Sequence, residues 1–303
     1  MMHDPSRRYV KAAGLSLLYL LLLFASLKTP LMLLYPLILP ITFFIDGLDH
    51  RFPARFFFVL MTFFLSIIFF GTSGLMLTIY ALASGYTLSY LLKKKGSALE
   101  SLGILFLALL VLNVFFVFGT LSLLGISFED WMETVLQPLD KEMGAIWPEG
   151  AGTFHTFASN LVRYTPYMLT LYSFVEATLL YVVYEKIARR LRGIQKPLPP
   201  LATLSFSPWL IWLYFLLALL TFTKEDTALT SLDTQVIENM FLIISTMLMM
   251  QGIFFVYRLS EESKARLFWR SLAVIGLIIP PFDLLLRLIG LFDLVTRHAR
   301  KPS

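Results

Sequence analysis

Four charged residues stand where a chain of this composition tolerates them least. Asp46 closes an apolar run interrupted by Pro36 and Pro40, and Glu176 lies near the middle of the run PYMLTLYSFVEATLLYVVYEK. Asp283 directly follows Phe282 and the Pro280–Pro281 pair, and Arg287 comes four residues later, the spacing of a helical ion pair. At the centre of a membrane helix an acidic side chain costs about 2.5–3.5 kcal/mol on insertion scales unless protein, water or a proton relieves it. Broken backbone is tolerated there only where protein or water shelters it. Asp46, Glu176, Asp283 and Arg287 are therefore the candidate ligand-binding residues, expected to line one midplane cavity. Glu176 would be a proton-coupling or ligand-contacting carboxylate, or a neutral acid hydrogen-bonded inside the bundle. Asp283 and Arg287 have a second reading as a structural pair.

Other chemistry is not encoded. The chain has no cysteine, and its four histidines (His3, His50, His155, His298) lie outside the apolar runs and are not spaced as metal ligands. HExxH, a nucleophile elbow and a P-loop are missing from the sequence. Glu261-Glu262-Ser263-Lys264-Ala265-Arg266 matches the E-E-x-x-x-R signature of membrane-embedded prenyl-protein-processing proteases, but the histidine motifs those enzymes need are not here. Alternating charges of this kind usually form a solvated turn. The expectation is a protein that is not an enzyme, with no catalytic residue, metal site or cofactor.

The elements that must position these residues are set by composition. Of 303 residues 57% are hydrophobic and only 15% charged, and the mean hydropathy is +0.75. A soluble domain is about 45–50% apolar even when glycine is counted. Apolar runs fall near 12–27, 31–46, 56–70, 75–92, 102–124, 166–185, 208–223, 236–257 and 271–295. The fold class is all-α: a polytopic transmembrane helical bundle of about 8–10 membrane segments, Pro-broken short helices among them. The chain reads as one integral membrane domain over 1–303, with the lipid bilayer as its surroundings and no nucleic acid as partner. Its net charge of +5 is spent beside the spans, as membrane topology requires.

Lysine and arginine alternate between connections. Arg7, Arg8 and Lys11 precede the first run, Lys28 alone follows it, Arg51 and Arg55 come next, and Gly71–Gly74 carries none. Lys93–Lys95, the stretch Lys186 to Lys196 and the stretch Arg258 to Arg270 are again rich, whereas Lys224 stands alone. The positive-inside rule then places the N-terminus in the cytoplasm. Arg297, Arg300 and Lys301 would lie outside if 271–295 crossed once; a turn at Pro280–Pro281 returns them inside as a re-entrant hairpin. A single kinked span is the alternative. Two short or Pro-interrupted segments near opposite ends of a chain are also the sequence pattern of transporter binding sites.

Residues 125–165 form the largest external segment. Ser127 and Asp130 make an S-x-x-D capping box, and Phe128, Trp131, Met132, Val135, Leu136 and Leu139 recur at helical spacing opposite Glu129, Asp130, Glu133, Asp140 and Lys141. This predicts an amphipathic helix lying on the bundle's outer mouth as cap or lid, and a second short helix near Phe154–Tyr164. Asn113 is expected to bond between helices as structural glue. Residues 186–207 form a cytoplasmic basic and proline-rich linker.

Several stretches carry a resemblance. YPLILP, the KPLPP tract before FSPWLIWLYFLL, Gln251-Gly252-Ile253, and the terminal Ile289-Gly290-Leu291-Phe292-Asp293 with Arg297 resemble the YybS-like family of bacterial membrane proteins, whose function is unassigned. That family is distantly similar to the substrate-binding membrane subunits of energy-coupling-factor vitamin transporters. The similarity implies a small-molecule pocket in a helical bundle of the bacterial cytoplasmic (inner) membrane. The chain departs from those subunits in its extra spans, its acidic external segment and its first helix. That helix has no Ala-x-x-x-Ala docking face; Ala12 and Ser16 come nearest. The expected function is small-solute binding or transport. The alternative is a non-transporting scaffold that recruits membrane or cytoplasmic protein partners.

Overall fold

A chain this apolar must satisfy its backbone internally, and helices do so within one segment. The structure, a computed structural model, describes residues 5–29, 34–49, 52–128, 130–131, 133–134, 138, 141, 162–223, 231–278 and 280–299, and every regular element among them is helical. The elements are α1 (Pro5–Lys28), α2 (Tyr35–Ile38), α3 (Pro40–Asp49), α4 (Phe52–Lys93) and α5 (Ala98–Val114). A π turn (Phe115–Gly119) links α5 to α6 (Thr120–Leu124). Then come α7 (Thr165–Arg192), α8 (Trp209–Phe222), α9 (Ser231–Glu262), α10 (Arg266–Ile278) and α11 (Pro280–Ala299). Among the described residues five helices are long and apolar enough to cross a membrane: Arg8–Lys28, Pro53–Lys93, Ala98–Ser122, Thr165–Arg192 and Asp233–Glu261. The molecule is an all-α, multi-pass membrane bundle.

The chain divides into two compact units, residues 1–134 with 172–198, and residues 135–171 with 199–303. The first unit is organised by α4. Its apolar stretch of 41 residues would extend about 60 Å as one straight rod at 1.5 Å per residue, twice the ~30 Å hydrocarbon core. Gly71 breaks it with φ 60°, ψ −145°, close to a backbone region that only glycine enters freely. The two arms fold back on each other: Arg55 stacks over the Tyr86 ring at 5.3 Å, and Phe58 and Ala81 share a core cluster. Each of these pairs straddles Gly71 almost symmetrically, so α4 is a hairpin, in line with the two runs read from the sequence.

Helix α1 lies against both arms through the stripe Ala12, Ser16, Tyr19 and Leu23, all fully buried. The Ser16 and Thr62 hydroxyls bond at 3.0 Å, and the Tyr19 hydroxyl donates to Thr78 Oγ1 at 2.9 Å. The Ala12–Ser16 face is thus used inside the unit. Helices α2 and α3 replace the expected second span. Pro36 and Pro40 sit at their starts, where a missing N–H costs nothing, and α3 runs for only 10 residues. Its buried Phe43 meets Tyr19, Phe58 and Tyr86 edge-on or tilted, so the broken backbone is sheltered by protein. The Ser127 cap is present, accepting from the Asp130 N–H at 3.0 Å. Most of the amphipathic segment and the stretch 154–161 lie outside the described residues.

In the second unit α9 is the centre. Tyr214 of α8 stacks on Phe241 at 5.4 Å, and Leu210, Leu217, Ile244, Leu248 and Leu294 form one core cluster. Helices α10 and α11 make the hairpin expected at Pro280–Pro281: Ala273 and Leu286 share a cluster with Val256, and Gly276 faces Phe282 and Leu286. The halves are unequal, 13 and 20 residues. Helix α11 crosses α9 at the contact of Gly252 with Gly290, where an added Cβ would strike the Leu286 or Leu248 carbonyl oxygen. Small residues that let backbones touch are how membrane helices pack without a hydrophobic driving force.

Candidate functional site

Glu176 occupies the buried face of α7 with Ser173, Ala177 and Leu180, an i, i+3, i+4, i+7 stripe. Only 4% of it is exposed. Its Oε2 accepts from Asn113 Nδ2 of α5 at 2.9 Å, and the same nitrogen donates to Ser173 Oγ at 3.0 Å. Its Oε1 is buried and has no hydrogen-bond partner among the described residues. The Tyr35 hydroxyl of α2 lies within electrostatic reach of the Glu176 carboxyl and interacts with the Tyr172 hydroxyl. Tyr35 also meets the Tyr80 ring at 5.6 Å, and Tyr80 meets Phe116 at 6.0 Å. Tyr80 is fully buried, and its hydroxyl has no partner among the described residues. The π turn begins two residues after Asn113. Such turns open the helical ladder and recur at functional sites. Asn113 is the expected interhelical bond, and its partner is the acid itself.

Asp46 is fully buried at the far end of α3 and is internally compensated. The Tyr86 hydroxyl donates to its Oδ2 at 2.7 Å, and Arg55 Nε stands 3.4 Å from the same oxygen. Lys93 Nζ donates to the Gly47 carbonyl at 2.5 Å, and Arg192 pairs with Asp49. Three basic residues thus meet the C-terminal end of α3, where orphan carbonyls and the helix dipole favour positive charge. Lys196 fastens the start of the linker by donating to the Leu91 and Lys94 carbonyls and to Ser101 Oγ. The end of α3 at Asp49 and the connections 93–97 and 192–198 therefore meet at one end of the first unit, as the charge alternation requires. Asp46 is held by Tyr86 and Arg55, and Glu176 by Asn113.

Asp283 and Arg287 bond to each other along α11, Arg287 Nε to Asp283 Oδ1 at 2.9 Å, with their side chains about a quarter exposed. They make a self-contained pair. The buried acid of α11 is Asp293, on the face of Leu286, Gly290 and Leu294. Gln251 and Arg258 of α9 both donate to its Oδ2, and Arg297 Nε lies 3.4 Å from Oδ1. Arg258 Nη1 also donates to the Leu204 carbonyl at 2.9 Å, and Gln251 Oε1 accepts from the Phe206 N–H at 2.8 Å. This network ties α9, α11 and the proline-rich linker together. Sequence reading passed over it because Asp293 lies twelve residues beyond the conspicuous proline pair. The signal was its place at i+3 from Gly290 and i+7 from Leu286, on the helix face that had to be buried.

At the entry to α7, Arg163 pairs with Glu238 at 2.7 Å. Asn239 accepts from the Tyr167 N–H and donates to the Arg163 carbonyl, each at 3.0 Å. The E-E-x-x-x-R stretch is a turn in which Arg266 donates to the Glu261 carbonyl at 3.0 Å. Among the described residues no cluster of acids and histidines is arranged to hold a metal ion.

No curated protein and no solved structure matches this chain. A membrane protein family does match, over residues 16–294, from α1 to the last turns of α11. That range takes in the Glu176 cluster, the Asp46 anchor and Asp293 with Gln251 and Arg258. The chain belongs to the family described as predicted membrane protein (DUF2232).

Proposed function

We propose that this protein binds or moves a small solute across the bacterial cytoplasmic membrane and performs no catalysis. The observation that carries the reading is the half-satisfied Glu176, whose Oε1 is buried without a partner among the described residues. A buried polar atom left unpaired costs about 1–3 kcal/mol, and more when charged, so such a group persists where a ligand or ion completes it. The resemblance to YybS-like proteins, and distantly to energy-coupling-factor subunits, points the same way. Asp46 and Asp293 are already compensated by protein, which supports a structural role for them and concentrates the binding reading on Glu176.

The test is thermal stability of the detergent-solubilised chain across a panel of metabolites. A ligand at a hundred times its Kd stabilises the folded state by about 2.7 kcal/mol, a readily measured rise in Tm. The expected outcome is a rise for one chemical class that Glu176→Gln abolishes while the unliganded Tm stays within a few degrees. If no class stabilises the protein, the scaffold reading replaces this one.

A further inference from the structure

Two of the buried polar atoms without a hydrogen-bond partner among the described residues of the first unit, Glu176 Oε1 and the Tyr80 hydroxyl, are linked through Tyr35, which packs on the Tyr80 ring and lies within electrostatic reach of Glu176. One is an acid and the other a neutral hydroxyl, and the Tyr35 ring packs against the Tyr80 ring. We propose that this cluster is a site for a small organic ammonium cation, which pairs with Glu176 in competition with a proton. The assignment rests on the solute-binding reading and narrows it to a substrate class.

The chemistry follows from what each neighbour can supply. An uncompensated carboxylate in a dry interior is strongly disfavoured, so Glu176 must hold a proton or meet a cation. Among the described residues no lysine, arginine or histidine is bonded to it. The titratable group within electrostatic reach of it is Tyr35 from α2, which in turn interacts with Tyr172 of α7 and packs on Tyr80 of α4; α5 contributes the neutral Asn113. A bare metal ion asks for a shell of oxygens. Here the rings of Tyr35, Tyr80 and Phe116 pack in one cluster with Ala177, the residue next to Glu176, and such rings attract an ammonium group through their faces. An ammonium N–H can donate to Oε1 and another to the Tyr80 hydroxyl oxygen, completing both orphans. On binding, the carboxyl O–H bond breaks, its proton leaves to water, and the carboxylate keeps the electron pair that faces the cation. No oxidant or reductant is involved.

The experiment is calorimetric titration of the purified full chain with 2-phenylethylammonium, its neutral analogue 2-phenylethanol, and sodium chloride. Each titration is run between pH 5 and pH 8 in two buffers of different ionisation enthalpy. The expected result is binding of the ammonium alone, with up to one proton released and affinity rising at most about tenfold per pH unit, the limit for a one-proton exchange. Glu176→Gln loses both the affinity and the proton release. Tyr80→Phe, a milder change that keeps the ring, weakens binding about tenfold, as loss of one charge-assisted hydrogen bond does, yet retains the pH dependence. Equal binding of phenylethanol, or sodium binding in place of the ammonium, overturns the proposal. If neutral or anionic metabolites stabilise the protein through Glu176 while no ammonium binds, the ammonium assignment falls and the solute-binding reading stands. If nothing binds, both fall.

Discussion

Two aspartates of one helix show how little charge alone says about a residue. Asp283 and Asp293 both interrupt the apolar α11, but only the second is sealed from solvent, at 3% exposure. Asp283 has its partner one turn away on the same helix, whereas Asp293 is held by Gln251 and Arg258 from another helix. Removing one partner of a buried pair leaves the other charge stranded and costs about 3–5 kcal/mol, while a partly exposed i,i+4 pair contributes about 0.3–0.5 kcal/mol. Asp293→Ala is accordingly expected to lower the unfolding free energy several times more than Asp283→Ala, measured in the same detergent. Equal losses would show that the Asp293 network is not what closes the second unit. The i,i+4 spacing of Asp283 and Arg287 was legible in the sequence because it is local. The tie between Asp293 and Arg258 was not, because it spans 35 positions and depends on which face of α11 meets α9.

At the scale of elements, composition and the prolines foretold a good deal. Nearly all the apolar runs reappear as helices, and both Pro-broken stretches are broken in the structure. What periodicity missed was length: from Tyr35 on, the second run is two short helices, because Pro36 and Pro40 each restart the ladder. Aromatic packing then filled the space around them. The hairpin of α4 depends on one residue. With Gly71 at φ 60°, ψ −145°, a Cβ there meets no neighbour, so the penalty for Gly71→Ala is conformational. It should cost about 1–3 kcal/mol. Gly14, within α1 and also without a neighbour to its Cβ, should gain about 0.5–1 kcal/mol from the same change. Opposite signs in a paired Tm measurement would support the hairpin; a neutral Gly71→Ala would mean the bend is not imposed by that dihedral. Gly252→Leu is a harsher probe, since its side chain would have to displace the Leu286 carbonyl and part α9 from α11.

For the whole molecule the decisive quantity is which side each connection faces. The charge rule gives an answer from the sequence, and the geometry bears on it at two places. In the first unit the end of α3 and the basic connections 93–97 and 192–198 gather at one end, joined by Arg192 to Asp49 and by Lys196 to the Lys94 carbonyl. In the second, Arg258, at the end of α9 that the charge rule puts inside, holds Asp293 near the end of α11. The α10–α11 turn thus brings the chain back toward the side from which α10 left. Reporter enzymes inserted at 94–96, inserted at 193–195 and fused after Ser303 should all score as cytoplasmic, and one inserted at 72–74 as external. An external score after Ser303 would mean that 271–295 crosses once, and the Arg258–Asp293 pair could not then form at the inner end of α9. An internal score at 72–74 would instead remove the α4 hairpin. Each result thus bears on a different turn of the chain, and the Glu176 cluster, built from α2, α4, α5 and α7, depends on the second of them.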